Sequence, residues 1–312
     1  EAAGFHRYSD RLCLLQLTIE RETWIIDPLA FDPSELLKKP LEDPAVTVVM
    51  HGYFEYAGYD QFHEFIRHTV RAGSIVVYPR YQTDVAEPCP GPVDIEPCIT
   101  SSVNGIRGAL DYLEADPERV QPDLERASYF GFSFGGILTA NLANRYAALG
   151  LPEPRVVFLD DPHDGGVAGD DEPALDDTLA GIPSSTLVLC HSSAKGVISE
   201  AGKDDASCNA VFPELDHIPA EGKSLVLTHP DRHGVPPLAA GHGVCIARPG
   251  EADAYDWGFC WKAWDALRTA AEDGTDREFA LGDTPEQRST GVWSDGVAVA
   301  PLVVRDEAPI RP

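Results

Sequence analysis

The sequence predicts an α/β fold, with a mostly parallel central sheet, helices on both faces and no large cap domain. Strand-like and helix-like segments alternate from about residue 45 to 273, the pattern of parallel strands joined by helical crossovers. Several strands are unbroken β-branched runs such as 46–50 (V-T-V-V-M) and 74–78 (S-I-V-V-Y), as expected of strands buried on both faces. No apolar run approaches the roughly 18 residues needed to cross a bilayer.

Taken in order, residues 11–19 and 23–29 read as a leading hairpin. The first core strand, 46–50, is followed by a helix over 59–71 with Phe62, Phe65, Ile66 and Val70 at helical spacing. Strand 74–78 stops at Pro79, and Val103, Ile106, Leu110 and Leu113 mark a helix over 100–114. A strand at 127–132 runs into a helix over 135–149. Strands at 155–159, 185–190 and 224–228 come next, then a helix over 255–271 whose Trp257, Trp261 and Trp264 are expected to pack in the core. Residues 291–304, with an Asp295-Gly296 turn, read as a terminal hairpin. No internal repeat or low-complexity linker appears, so residues 1–312 are expected to form a single domain with its core at about 45–273.

The most informative stretch is Gly131-Phe132-Ser133-Phe134-Gly135. A G-x-S-x-G between a β-branched, aromatic strand and a helix is the pattern of a nucleophile elbow. Small residues let the chain turn sharply, so that the serine projects above the sheet. The helix behind it aims free N–H groups and its positive end at any oxyanion forming there.

The chain carries 51 acidic against 24 basic residues, a net charge of −27. Such a surface repels nucleic acid and anionic membranes, which excludes both as expected partners. It suits solubility or adaptation to salt. The acidic residues 170–172, with Asp176 and Asp177, lack the ordered spacing of a calcium loop and read as a solvated turn. Seven cysteines are many for a cytosolic protein of this size. Cys89 with Cys98 and Cys245 with Cys260 bracket loops without zinc-type spacing, so disulfides are expected there. Cys190, ending a strand, reads as a buried thiol, with pairing to Cys208 as the alternative. Together these features favour secretion.

Acyl transfer needs a base, an acid to orient it and oxyanion donors beside the nucleophile. The histidine is expected after the last core strand, where His233 has room to reach back to Ser133. His229, stiffened by Pro230, and His242, farther along, rank behind it. The commonest place for the acid, after strand 185–190, offers only Glu200. One strand earlier the tip carries Asp160, Asp161 and Asp164, and Asp161, before Pro162, is the choice. The N–H groups of Phe134 and of Tyr53, freed to turn by Gly52, are expected to form the oxyanion hole. Tyr53, Phe54 and Phe132, with Phe134, are expected to line an open, aromatic cleft.

The block from His51-Gly52-Tyr53 through Tyr59, Phe65-Ile66, Gly73 and Ile75-Val76-Val77 to Pro79 and Tyr81 resembles the corresponding block of plant chlorophyllases. It also resembles the related bacterial polyester hydrolases and cutinase-like esterases. Leu159-Asp160-Asp161-Pro162 with Gly165 is similar to the chlorophyllase L-D-P-x-x-G segment, whose Asp is the triad acid. The resemblance spans about residues 45–235. It departs at Phe132, where those families usually have His before the serine.

The resemblance implies the α/β-hydrolase fold, a Ser133, Asp161, His233 triad and oxyanion donors at Tyr53 and Phe134. The expected function is a secreted, monomeric serine ester hydrolase without metal or organic cofactor. Its substrates would be apolar or aromatic esters, small or polymeric, including polyesters such as PET. Rival readings are a lipase or phospholipid-type esterase, an amidase or peptidase of the same fold, and a non-catalytic binding protein.

Overall fold

The computed structural model describes residues 15–19, 22–26, 44–89, 94–162, 173–194 and 207–305 of the 312. The leading hairpin forms as strands β1 (Leu15–Ile19) and β2 (Glu22–Ile26), paired antiparallel in a sheet of their own. The outer parts of that predicted hairpin lie outside the described residues.

The main sheet has seven strands: β3 (Ala45–Met50), β4 (Ser74–Val77), β5 (Asp123–Phe132), β6 (Pro154–Asp160), β7 (Leu187–Ser193), β8 (Lys223–Thr228) and β9 (Val303–Arg305). Their spatial order is β4-β3-β5-β6-β7-β8-β9. Every pairing from β4 to β8 is parallel, and only β9 runs antiparallel, against β8. The predicted terminal hairpin survives only as a tight turn, with Val292 bridging Ala298. Its far arm continues instead onto the sheet edge as β9.

Alternation along the buried strands feeds two cores. Val48, Met50, Tyr129, Val157 and Leu159 face one side. There they meet Ile99, Val103 and Ile106 of helix α2 (Glu96–Glu114) and Ile137 and Leu138 of helix α3 (Phe134–Asn144). Val49, Phe130, Val156 and Phe158 face the other, against Phe65 of α1 (His63–Arg71) and Trp264 and Leu267 of α4 (Lys262–Asp273). Helices therefore cover both faces, as the alternating sequence predicts.

The expected helix over 255–271 is not uniform: Asp256–Trp261 is a π-helical stretch before α4 begins. The wider turn rotates side chains out of α-helical phase. Trp264 packs fully buried against Phe65 and Phe130, while Trp257 is 60% exposed. The expectation that all three tryptophans are core residues therefore fails at Trp257. Asp176 is held by the Arg145 guanidinium, with Nε 2.9 Å from its Oδ2, and by Asn144. It is thus part of a structural ion pair; residues 170–172 lie outside the described residues.

Three disulfides join Cys89 to Cys98, Cys190 to Cys208 and Cys245 to Cys260. Two are the expected pairs. The third replaces the expected buried thiol at Cys190, because the chain returning at Cys208 places its Cα 6.1 Å from that of Cys190, within bridging range. Cys13 lies outside the described residues. No helix among the described residues is long and apolar enough to cross a membrane.

Two glycines test the packing at the sheet top. A Cβ on Gly135 would lie 2.5 Å from the Met50 carbonyl oxygen, a backbone atom that cannot move aside, whereas a Cβ on Gly108 of α2 meets nothing within 4 Å. Gly135→Ala should therefore lower stability by about 3 kcal/mol or more in urea unfolding. Gly108→Ala should raise it by roughly 0.5–1 kcal/mol.

Candidate active site

The C-terminal ends of β5, β6 and β7 meet at one point above the sheet. At the end of β5 the chain turns through Ser133, with φ 55° and ψ −127°, straight into α3. Positive φ in a non-glycine residue costs about 1–3 kcal/mol and persists only where surroundings enforce it. Here the Ser133 N–H donates to the Asp160 carbonyl at 2.9 Å, and the Ser133 carbonyl accepts from the Gly136 N–H at 2.7 Å. Gly131 allows the turn to close, since a Cβ there would sit 2.7 Å from Thr139 Cβ. Ser133 is thus the N-cap of α3, with the helix's positive end behind it.

One strand over, Asp161 also has positive φ, 48°. Its N–H donates to the His191 carbonyl at 2.9 Å, holding it at the tip of β6 beside β7. The carboxylate is buried and fully engaged. Oδ1 accepts from the Ser193 N–H and from the Ser207 hydroxyl, each at 2.9 Å, while Oδ2 lies 3.1 Å from His242 Nδ1. Burial alone would push this carboxyl up, but the His242 bond, nearby His191 and the Ser193 N–H bring it below its ordinary range. It is therefore an anion at neutral pH.

His242, not His233, faces the acid. Its ring packs against that of Phe132, the residue before Ser133, with centroids 4.6 Å apart. With Nδ1 directed at Asp161, Nε2 points away from the carboxylate. His233 is drawn elsewhere: its Nε2 lies 2.7 Å from Asp295 Oδ2 in the terminal turn. The cause is Asp231, whose carboxylate accepts from the His233 N–H, Trp293 Nε1 and the Ala300 N–H. These bonds fasten the loop after β8 to the C-terminal segment, away from the sheet top. The expected Asp161–His233 pair is accordingly corrected to Asp161–His242. His229 lends its carbonyl to the Tyr255 hydroxyl.

Asp160 has a different task. Its Oδ1 is 2.7 Å from His191 Nδ1, and His191 Nε2 is 3.0 Å from the Thr228 hydroxyl, a buried chain across β6, β7 and β8. Burial raises the Asp160 carboxyl despite that bond. Asp164 and Glu200 lie outside the described residues. Asp160, His191 and Cys245 come close enough to suggest a metal site, but Cys245 is bonded to Cys260 and both His191 nitrogens are engaged.

The loop after β3 is tied down around His51. Its Nδ1–H donates to the Gly52 carbonyl at 2.7 Å, its ring stacks on Tyr81 at 4.0 Å, and the Tyr81 hydroxyl donates to the His51 carbonyl at 2.6 Å. Burial lowers its pKa to about 4, so it is neutral under physiological conditions. Tyr53 comes two residues later, its ring edge-on to Phe134 at 5.3 Å and its hydroxyl bonded to the Val85 carbonyl. Of the expected cleft aromatics, Phe54 is exposed and Tyr53 half-buried, but Phe132 and Phe134 are buried. The sheet-top packing takes both rings inward, correcting the expectation that they line the cleft. Glu55 was not foreseen at the site. Its half-buried carboxylate abuts Gly52, and burial raises its pKa while His242 opposes the shift.

The protein is an α/β protein with a mostly parallel seven-stranded sheet flanked by helices, an architecture compatible with α/β-hydrolases, and it brings His242 onto Asp161 and onto Phe132, the residue before Ser133. No family model matches the chain, and no curated protein matches it.

A buried acid nearby gives a test of the electrostatics. Asp256, at the start of the π-helical stretch, has one carboxylate oxygen without a partner, and burial pushes its pKa up to about 7. Between about pH 4 and 7 the folded state keeps a proton that the unfolded state has released, so stability falls as pH rises and levels off above pH 7. Asp256→Asn should remove that penalty. Thermal melts should show the variant more stable than the parent at pH 8 and equal to it near pH 4.

Proposed function

We propose that the protein is a serine carboxylic-ester hydrolase that works through an acyl-enzyme. The observation that carries this reading is the contact, at 3.1 Å, between the buried Asp161 carboxylate and the half-buried His242, whose ring packs on Phe132 next to a positive-φ serine at a helix N-terminus. Ser133 Oγ attacks the ester carbonyl while His242 Nε2 takes its proton and then gives it to the leaving alcohol. Asp161 holds His242 with Nδ1 protonated and stabilises the imidazolium that forms. The N–H groups of Phe134 and Tyr53 receive the oxyanion. Water, activated by His242, then releases the acid and restores Ser133.

Substrates on this reading are neutral apolar or aromatic esters, small or polymeric, reached past Tyr53 and the exposed Phe54. The three disulfides support an oxidising, extracellular setting.

Hydrolysis of p-nitrophenyl esters from acetate to palmitate, with and without a serine-directed phosphonate, tests the activity. Ser133→Ala should reduce turnover by roughly 10³ or more in a folded protein and abolish phosphonate labelling. His242→Ala should be comparably damaging, whereas His233→Ala should stay within about threefold of the parent. Equal damage from both histidine variants would contradict the assignment of the base.

A further inference from the structure

The Asp161 carboxylate is held from a direction that the proposed triad does not require. Besides His242 and the Ser193 N–H, it accepts a hydrogen bond from the Ser207 hydroxyl at 2.9 Å. Ser207 Oγ is in turn 2.9 Å from Ser192 Oγ. Because the Ser207 proton goes to Asp161, the Ser192 hydroxyl donates to Ser207. All three side chains are buried, with exposures of 1% for Asp161 and 2% for each serine. In such surroundings a hydroxyl aimed at a carboxylate is a strong, directional contact.

Ser207 lies in a turn, outside the strands and helices of the described residues. Its neighbour in the chain is Cys208, bonded to Cys190 in β7. β7 also supplies the His191 carbonyl to the Asp161 N–H, and the Ser193 N–H to the Asp161 carboxylate. The bridge therefore ties the chain at Ser207 to the same strand that orients Asp161. Val211, Phe212 and Leu215, just beyond, are buried in the core, so the segment has packing of its own.

Resting on the hydrolase reading above, we propose that Ser207 is a positioning residue for Asp161 and that the Cys190–Cys208 bridge holds it in place. The hydroxyl keeps Oδ2 turned towards His242 by occupying Oδ1. Without it Oδ1 keeps only the Ser193 N–H, and the carboxylate, and with it the His242 ring, is held less firmly in orientation.

Four variants of the full chain test this: Ser207→Ala, Ser207→Thr, Cys190→Ala with Cys208→Ala, and that pair combined with Ser207→Ala. Ser207→Ala should lower kcat by about 10- to 100-fold with KM within about twofold, as expected for a lost hydrogen bond to a charged group that acts in the transition state. Ser207→Thr, which keeps the hydroxyl, should recover most of the activity. The bridge-less pair should fall by a similar factor while circular dichroism shows the fold retained. Adding Ser207→Ala to it should cost little more, because both changes remove one support.

A readout independent of turnover is the low-field proton resonance of His242 Nδ1–H, which should broaden or move upfield in Ser207→Ala and return in Ser207→Thr. Unchanged kcat and resonance in Ser207→Ala would overturn the role of Ser207. Full activity in the bridge-less pair, or additive losses in the combined variant, would overturn the role of the bridge. If the parent protein neither hydrolyses the esters nor takes up phosphonate, the hydrolase reading fails, and the resonance alone then decides whether Ser207 positions Asp161.

Discussion

The sheet top depends on two backbone hydrogen bonds that extend the parallel ladder past the strand ends. The Ser133 N–H reaches the Asp160 carbonyl, and the Asp161 N–H reaches the His191 carbonyl, both at 2.9 Å. These bonds hold Ser133 and Asp161 at φ 55° and 48°, conformations that an isolated chain would leave. The strain is sustained by the strands below, buried towards their C-terminal ends and packed on both faces by helices. The two residues are coupled through the sheet: loosening the pairing of β5, β6 and β7 would relax both together.

Adjacent carboxylates at the end of β6 show how environment separates their roles. Asp160 points into the sheet and joins His191 and Thr228, while Asp161 points out to His242. Burial opposes ionisation of both. Asp161 has enough donors to overcome it, and Asp160, with one oxygen unpartnered, does not. Two neighbours of identical chemistry are thereby divided into an anion paired with His242 and a buried link within the core whose ionisation burial opposes.

The disulfides are placed where backbone pairing runs out. Cys89–Cys98 ties a loop to α2, Cys190–Cys208 ties the Ser207 turn to β7, and Cys245–Cys260 ties the His242 loop to the π-helical stretch. Irregular segments lack a ladder to fix them, so a covalent tie limits the conformations they can sample. Two of the three bridges thus restrain segments that touch Asp161.

The sequence by itself determined the layered α/β architecture, the sharp strand-to-helix turn at Ser133 and the carboxylate of Asp161 at the tip of β6. These arise from local signals: β-branched runs, helical spacing, glycines around a serine and a carboxylate before a proline. It also placed two of the three disulfides from the loops they bracket. Only the tertiary structure decided which histidine meets Asp161. His233 has the expected spacing, but Asp231, Trp293, Asp295 and Ala300 draw its loop towards a chain terminus some sixty residues away. The flanking glycines of Gly241-His242-Gly243 and the nearby Cys245 were the available hints to His242, yet they gain meaning only once the bridge to Cys260 has folded that loop back. The exposure of Trp257, the burial of Phe132 and Phe134, and the approach of Ser207 to Asp161 were invisible for the same reason. Each depends on contacts between segments distant in the chain, which composition and periodicity do not encode.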